Sequence, residues 1–196
     1  MVKPARVLSI AGSDSGGGAG LQADIKTLSA LNCYAMTAVT AITVQNTTGV
    51  HGVHRVPLDI IRGQITRVLG DIGADAVKIG MLGSADIVGA VAGELVLYQS
   101  IPLVLDTVMV AKGGAALLDD GGIAALRAQL LPRADLVTPN APEAAVLAGI
   151  RVETADDLVQ AGQALIALGA KAALVKGGHL DGPMVTDALV TACDVH

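Results

Sequence analysis

The chain has 196 residues, 52% of them hydrophobic, with 13 basic and 18 acidic side chains and a net charge of -5, the reverse of a disordered segment's low hydrophobicity and high net charge. A mildly acidic chain without blocks of like charge also excludes a nucleic-acid groove or an anionic membrane surface, which reward clustered Lys and Arg. The length fits one domain spanning 1–196, and its core must be aliphatic, since there is no Phe or Trp and only two Tyr, Tyr34 and Tyr98.

Glycine is in excess, with 24 residues against a usual share of about 7%, and it is clustered rather than periodic. Cys33 and Cys193 match no CxxC pair or disulfide framework, so a reducing cytoplasm is the expected location. No membrane span is expected. The stretch 27–54 lacks Asp, Glu, Lys and Arg but carries Asn32, Gln45, Asn46 and many Thr, which hydrocarbon tolerates poorly. The apolar run after Arg6 is too short for a signal peptide.

In chain order, Val7–Ala11 reads as a buried strand closed by glycines. The spacing of Leu21, Ile25, Leu28 and Leu31 predicts a helix from 21 to 31, which puts Asp24 in its first turn. A second strand is predicted over Ala35–Val44. Pro57 suits the first turn of the next helix, whose apolar positions run from 58 to 72. Then come a strand at Ala76–Ile79, a helix at Ala85–Leu97, a strand at Leu103–Leu105 and a helix at Ile123–Leu131. A strand at Leu136–Thr138, a short helix from Pro142, a longer helix at Ala155–Leu168 and a strand at Ala173–Val175 follow. Thr154 and Asp157 resemble an N-cap with an acidic third position. Continuous apolar strands between helices indicate a mostly parallel sheet covered on both faces, a doubly wound, three-layer α/β/α domain. Ligands of such sheets sit beyond the carboxyl ends of the strands.

The residues after each strand are therefore the ones to read. Gly12-Ser-Asp-Ser-Gly-Gly-Gly-Ala-Gly20 follows the first strand; it is neither a P-loop nor a Rossmann fingerprint. It is either a plain turn or a place where backbone N–H groups approach a ligand. Asp24 favours the helix dipole or accepts a hydrogen bond from substrate. Gln45 ends an apolar strand with amide donors and an acceptor suited to a planar partner, although a strand-ending turn accounts for it too. Met81, between glycines, is core or a soft wall against a ring. Asp106 closes an apolar strand, where a carboxylate must be solvated, paired or bound to a cation. Asn140 and Glu143 have the spacing of a helix cap, and Lys176 ends the last strand beside two glycines. Carboxylates for Mg²⁺, with backbone donors and Lys for phosphates, are the components of phosphoryl transfer. The four histidines show no metal-ligand spacing.

Taken together, Ala11-Gly-Ser-Asp-Ser-Gly-Gly-Gly-Ala-Gly-Leu-Gln-Ala-Asp-Ile-Lys26, Val44-Gln-Asn-Thr47, Lys78-Ile-Gly-Met-Leu82, Leu105-Asp-Thr-Val-Met109, Thr138-Pro-Asn-Ala-Pro-Glu-Ala144 and Val175-Lys-Gly-Gly-His179 resemble, in order, the motifs of the hydroxymethylpyrimidine/phosphomethylpyrimidine kinases of thiamine biosynthesis, in the ribokinase-like superfamily. The match runs from about residue 6 to 180. It implies ATP-dependent phosphorylation of 4-amino-5-hydroxymethyl-2-methylpyrimidine and then of its monophosphate. By motif, Gly12, Asp24, Gln45, Met81 and Val108 would hold the pyrimidine. Asp106 and Glu143, with Asn140, would position Mg²⁺ largely through water, and Lys176 would face the ATP phosphates. A homodimer is the family's common state.

One family element has no match. The resemblance implies a Gly-Thr-Gly-Cys segment near the carboxyl end, supplying an anion hole and a cysteine, but Cys193 stands in Thr-Ala-Cys-Asp and Cys33 has no such flanks. No catalytic residue is therefore assigned beyond Lys176 as the phosphate-facing candidate. The sequence is expected to lack the family's C-terminal part and to bind pyrimidine better than it phosphorylates it. The alternatives are a pyridoxal or pyridoxine kinase of the same superfamily and a non-catalytic pyrimidine-binding module.

Overall fold

The structure, a computed structural model, describes residues 3–111, 114, 116–180 and 184–196. Among them, eight strands form one sheet: β1 (Arg6–Asp14), β2 (Tyr34–Asn46), β3 (Gly49–Arg55), β4 (Ala76–Ile79), β5 (Leu103–Leu105), β6 (Leu136–Val137), β7 (Ala172–Val175) and β8 (Ala188–Thr191). The helices are α1 (Gly20–Ala30), α2 (Leu58–Asp71), α3 (Ala85–Leu95), α4 (Asp120–Gln129), α5 (Ala141–Ala148) and α6 (Ala155–Ala167). The strand order is β3-β2-β1-β4-β5-β6-β7-β8. Both edge strands pair antiparallel and every other pairing is parallel.

The chain moves one way along the sheet from β1 to β2 and the other way from β4 onward. Right-handed crossovers therefore set α1 on one face and the later helices on the opposite face. Leu8 pairs with Val77, Ile10 with Ile79, and those two with Leu103 and Leu105, so all six share a face. They lie in one buried cluster with Ile61 and Ile65 of α2, Ile87 of α3, Leu126 of α4, Leu147 of α5 and Leu165 of α6. The buried residue of α1, Leu21, stands outside that cluster. Instead α1 covers the face that carries Ser9 and Lys78. Farther along this face Val104, Leu136, Leu174 and Leu189 are only half-buried. The three layers are present but unequal, because a single crossover runs in the first direction.

The expected elements form, with differences that have local causes. β3 and β8, not foreseen, are edge strands held by antiparallel pairing. α4 begins three residues before Ile123, because Asp119 caps it by accepting a hydrogen bond from Gly122 N at 2.7 Å. Pro57 is the N-cap of α2, with ψ 142°, and lies just outside its first turn. α1 starts at Gly20, so Asp24 lies in its second turn and not in the first. Thr154 and Asp157 form a capping box at α6, and Asn140 and Glu143 form another at α5.

The direction changes between β1 and β4, which makes their carboxyl ends a topological switch point. The sheet is also bulged there: Ala11 pairs with Val39 but Ser13 with Ile42, so β2 carries an extra residue opposite Gly12. Bulges of this kind re-aim backbone and side chains beside sites.

Candidate active site

A cavity of about 370 Å³ opens at this switch point. Gly12, Asp24, Gln45, Met81 and Val108, drawn from four strand ends and α1, all line it, and so does Asp106. Asn140 and Glu143 line a wider neighbouring cavity of about 750 Å³, which shares Val110 and Ala111 with the first. Lys176 lines neither. It lies at the border, zipped to Asn140 by strand pairing, with its Nζ 3.5 Å from Asp106 Oδ1.

The glycine-rich loop is shaped by a carboxylate of its own. Asp14, 5% exposed, accepts hydrogen bonds from Gly16 N at 2.8 Å, Gly18 N at 3.0 Å and Ala19 N at 2.8 Å. Of the two readings of this loop, the amides of Gly16, Gly18 and Ala19 fit the self-contained turn, since an internal carboxylate already occupies them. Gly20 closes the loop at φ +53°, and a Cβ there would collide with the Gly12 carbonyl oxygen. Ser15 Oγ then ties the loop to β2, accepting from Gln45 N and donating to Gln45 O, both at 2.9 Å.

These anchors fix groups that line the cavity. Gln45 Oε1 lies 3.1 Å from Thr43 Oγ1, and its amide N–H donors meet no acceptor among the described residues. Met81 is held at its carbonyl by buried Thr40, whose hydroxyl donates at 2.7 Å. Its sulfur lies 2.9 Å from where a Gly12 Cβ would be, so glycine makes room for the thioether.

Between these groups and Lys176 lies a chain of alternating charge. Ser9 Oγ donates to Asp24 Oδ2 at 2.6 Å, and Lys78 Nζ donates to both Asp24 oxygens at 3.0 and 3.1 Å. Lys78 also stands 3.8 Å from Asp106 Oδ2, while Thr138 Oγ1 reaches Asp106 Oδ1 at 3.3 Å. Lys78 was not singled out from the sequence. The signal was available, because the period of two in a strand sends Lys78 to the face opposite Val77 and Ile79.

Glu143 differs in kind. It is 7% exposed, and its Oε2 accepts from Thr107 Oγ1 and Asn140 N, both at 3.1 Å, while Oε1 accepts from Met109 N at 3.3 Å. Burial pushes its carboxyl above the ordinary glutamate range, against the pull of hydrogen bonds from Asn140, Met109 and Thr107. Asn140 Oδ1 in turn accepts from Glu143 N at 2.9 Å. Both residues therefore brace the loop 106–109 against α5. Among the described residues, no group of three or more His, Cys, Asp or Glu could hold a metal ion. Both cysteines are free, Cys33 half-buried and Cys193 exposed.

The model of the phosphomethylpyrimidine kinase family matches residues 14–196. A hydroxymethylpyrimidine/phosphomethylpyrimidine kinase of Escherichia coli is 47% identical over 191 residues, which are 97% of this chain and 72% of that protein. The crystal structure of a phosphomethylpyrimidine kinase from Clostridium difficile superposes with a TM-score of 0.92 at 44% identity, covering 98% of this chain and 83% of that one. A pyridoxal kinase from Bacillus subtilis, solved as an ADP complex, gives 0.90 at 39% identity, covering 99% and 74%. A family match over nearly the whole sequence, joined to a ribokinase-like sheet with its cavity at the switch point, places this chain in the phosphomethylpyrimidine kinase family of phosphotransferases.

Proposed function

We propose that the protein transfers the γ-phosphoryl group of ATP to the hydroxymethyl group of 4-amino-5-hydroxymethyl-2-methylpyrimidine, and then to the resulting monophosphate, in thiamine biosynthesis. The observation that carries this reading is the gathering of Gly12, Asp24, Gln45, Met81 and Val108 around one cavity beside Asp106. Uncommitted amide donors on Gln45 and a carboxylate at Asp24 suit the edge of an aminopyrimidine. Met81, 9% exposed, offers a polarizable wall to its ring. Asp106 lies where the acceptor's hydroxymethyl group would meet the nucleotide.

The nucleotide phosphates approach from the side of Asn140 and Lys176. Mg²⁺ fits this side on one condition. Both Glu143 oxygens are engaged, whereas Asp106 is held only by contacts of 3.3 to 3.8 Å. Asp106 would be the direct protein ligand, with water and phosphate completing the shell, as Mg²⁺ prefers. When bound, the ion would neutralise charge on the transferring phosphoryl group. Glu143 keeps Asp106 in register through Thr107.

No helix among the described residues is long and apolar enough to cross a membrane. Ile42, Val44 and Val53 expose apolar surface on the β2–β3 hairpin, which suits a homodimer.

The deciding test is product analysis by mass spectrometry with ATP, Mg²⁺ and, in turn, the hydroxymethylpyrimidine, its monophosphate and pyridoxal. Turnover of both pyrimidines ahead of pyridoxal is expected. Faster pyridoxal phosphorylation would favour the second reading, which the likeness to the Bacillus subtilis enzyme keeps in play. Tight pyrimidine binding without any product from the full-length protein would instead indicate a binding module.

A further inference from the structure

Resting on that reading, we propose that Lys78 is the residue that admits the phosphorylated acceptor: its ammonium group binds the phosphomonoester of the pyrimidine and contributes little to holding the neutral alcohol. The two acceptors differ by a phosphate group, which brings about -1.5 to -2 of charge at neutral pH. A pocket that takes both in turn needs a donor that the first leaves idle.

Two observations narrow where that donor is. The glycine-rich loop is the expected anion cradle, but three of its amides, at Gly16, Gly18 and Ala19, are turned onto the Asp14 carboxylate. The cavity must then draw cationic help from side chains. Among the described residues, Asp24, Lys78, Asp106 and Lys176 form an alternating row with no formal charge left over, and Asp14 on the same cavity adds a negative one, which suits an alcohol and leaves a dianion without net positive charge. Within the row, an ammonium carries three donors. The Asp24 carboxylate occupies at most two of those on Lys78, at 3.0 and 3.1 Å. Asp106, at 3.8 Å, lies beyond hydrogen-bond reach. One N–H of Lys78 is therefore uncommitted, on a side chain that lines the cavity with a quarter of its surface exposed. Lys176 sits on the other side of Asp106, so a phosphoryl group drawn to this carboxylate's position is flanked by both lysines. Lys176 serves the donor phosphates; Lys78 lies on the acceptor's side.

The test is a pair of calorimetric titrations without ATP, using the hydroxymethylpyrimidine and its monophosphate. The quantity read is the ratio of their dissociation constants, in which any damage done through Asp24 cancels. Lys78→Met is expected to raise the monophosphate-to-alcohol ratio by about tenfold or more, the size of a lost charge-assisted hydrogen bond. Lys78→Arg should restore much of it. Asp24→Asn is expected to weaken both ligands while lowering the ratio, since it frees a further donor on Lys78. A ratio unchanged in Lys78→Met, with both affinities falling together, would overturn the assignment and leave Lys78 as a support for Asp24. Wild-type protein that binds neither pyrimidine would overturn the substrate reading itself, and this inference with it.

Discussion

The two edges of the sheet use the same residue types in opposite ways. At the amino ends of the strands, Arg6 and Asp75 meet at 2.7 Å, with further bonds to Asp75 from Arg6 N and Nε. Nearby, Asp135 accepts from Leu103 N at 2.8 Å and Lys171 at 2.6 Å. These bonds are short, several per group, and join one strand entry to the next. At the carboxyl ends, Lys78, Asp106 and Lys176 stand 3.5 to 3.8 Å apart, and Gln45 and Lys78 keep donors in reserve. Saturated pairs hold backbone, whereas a loosely tied row leaves valences for a ligand. Asp14, Asp24 and Glu143 at the carboxyl ends are bonded as fully as Asp75 and Asp135; what sets this edge apart is the long contacts of Asp106 and the donors left over on Gln45 and Lys78.

The sharpest way to break this comparison is at Gln45. If its amide meets the pyrimidine edge, Gln45→Ala should cost about 1–3 kcal/mol of binding, the penalty for leaving a buried partner unpaired. The urea midpoint should not move, because only the Thr43 contact is lost inside the protein. Calorimetry and urea titration on one preparation check both halves. Unchanged affinity would remove Gln45 from the site.

The opposite edge should give the opposite pattern, on a smaller scale. Asp135→Ala leaves Leu103 N without its acceptor and Lys171 without its partner. We expect a loss of about 1–2 kcal/mol in urea unfolding, with pyrimidine affinity intact. Weakened binding at unchanged stability would mean that the two edges are not functionally separate.

How much of this was legible depended on whether the cause is local. β4 and β5 begin and end where the sequence predicts, since each is a short apolar run between turns. Helix starts marked by a capping box were legible as well, at Asn140 and Thr154, whereas the single cap at Asp119 was not. β3 was not, because His51, Gly52 and His54 break any alternation and its strand state comes from pairing with β2. One local clue did exist: Asn46 Oδ1 accepts from Thr48 N and Gly49 N, an Asx-type turn that the run Asn-Thr-Thr-Gly permits. β8 follows β7 without a helix between them, so the βα alternation gives no warning of it. At the candidate site, Gly12, Gln45, Met81, Asp106 and Val108 were readable because each stands at or just after a predicted strand, whereas Lys78, inside β4, was not. Asp14 was not, since only the folded loop shows three amides closing on its carboxylate. The bond partners of Glu143 were half readable: the capping box is local, but Thr107 and Met109 come from a different strand end.

The smallest effect concerns the exposed pair Arg6–Asp75, and its signature is pH. The Arg6 guanidinium beside Asp75 holds that carboxyl well below the ordinary aspartate range. A carboxyl whose pKa is depressed on folding binds fewer protons in the native state. Its contribution is therefore complete above the unfolded value of about 4 and is lost as pH falls from there through the folded value. Asp75→Asn should thus be less stable than wild type by a steady margin from neutral pH to about 5, and the margin should shrink below about 4. Urea titrations at both ends of that range measure it. The margin will be modest, because Asp75 is nearly half exposed and water screens such pairs. A margin that persists undiminished in acid would mean that Asp75 acts through a hydrogen bond that asparagine cannot copy and not through its charge. The amino edge would then owe its rigidity to hydrogen-bond geometry alone, and the contrast with the row at Asp106 would rest on bond count without any help from ionisation.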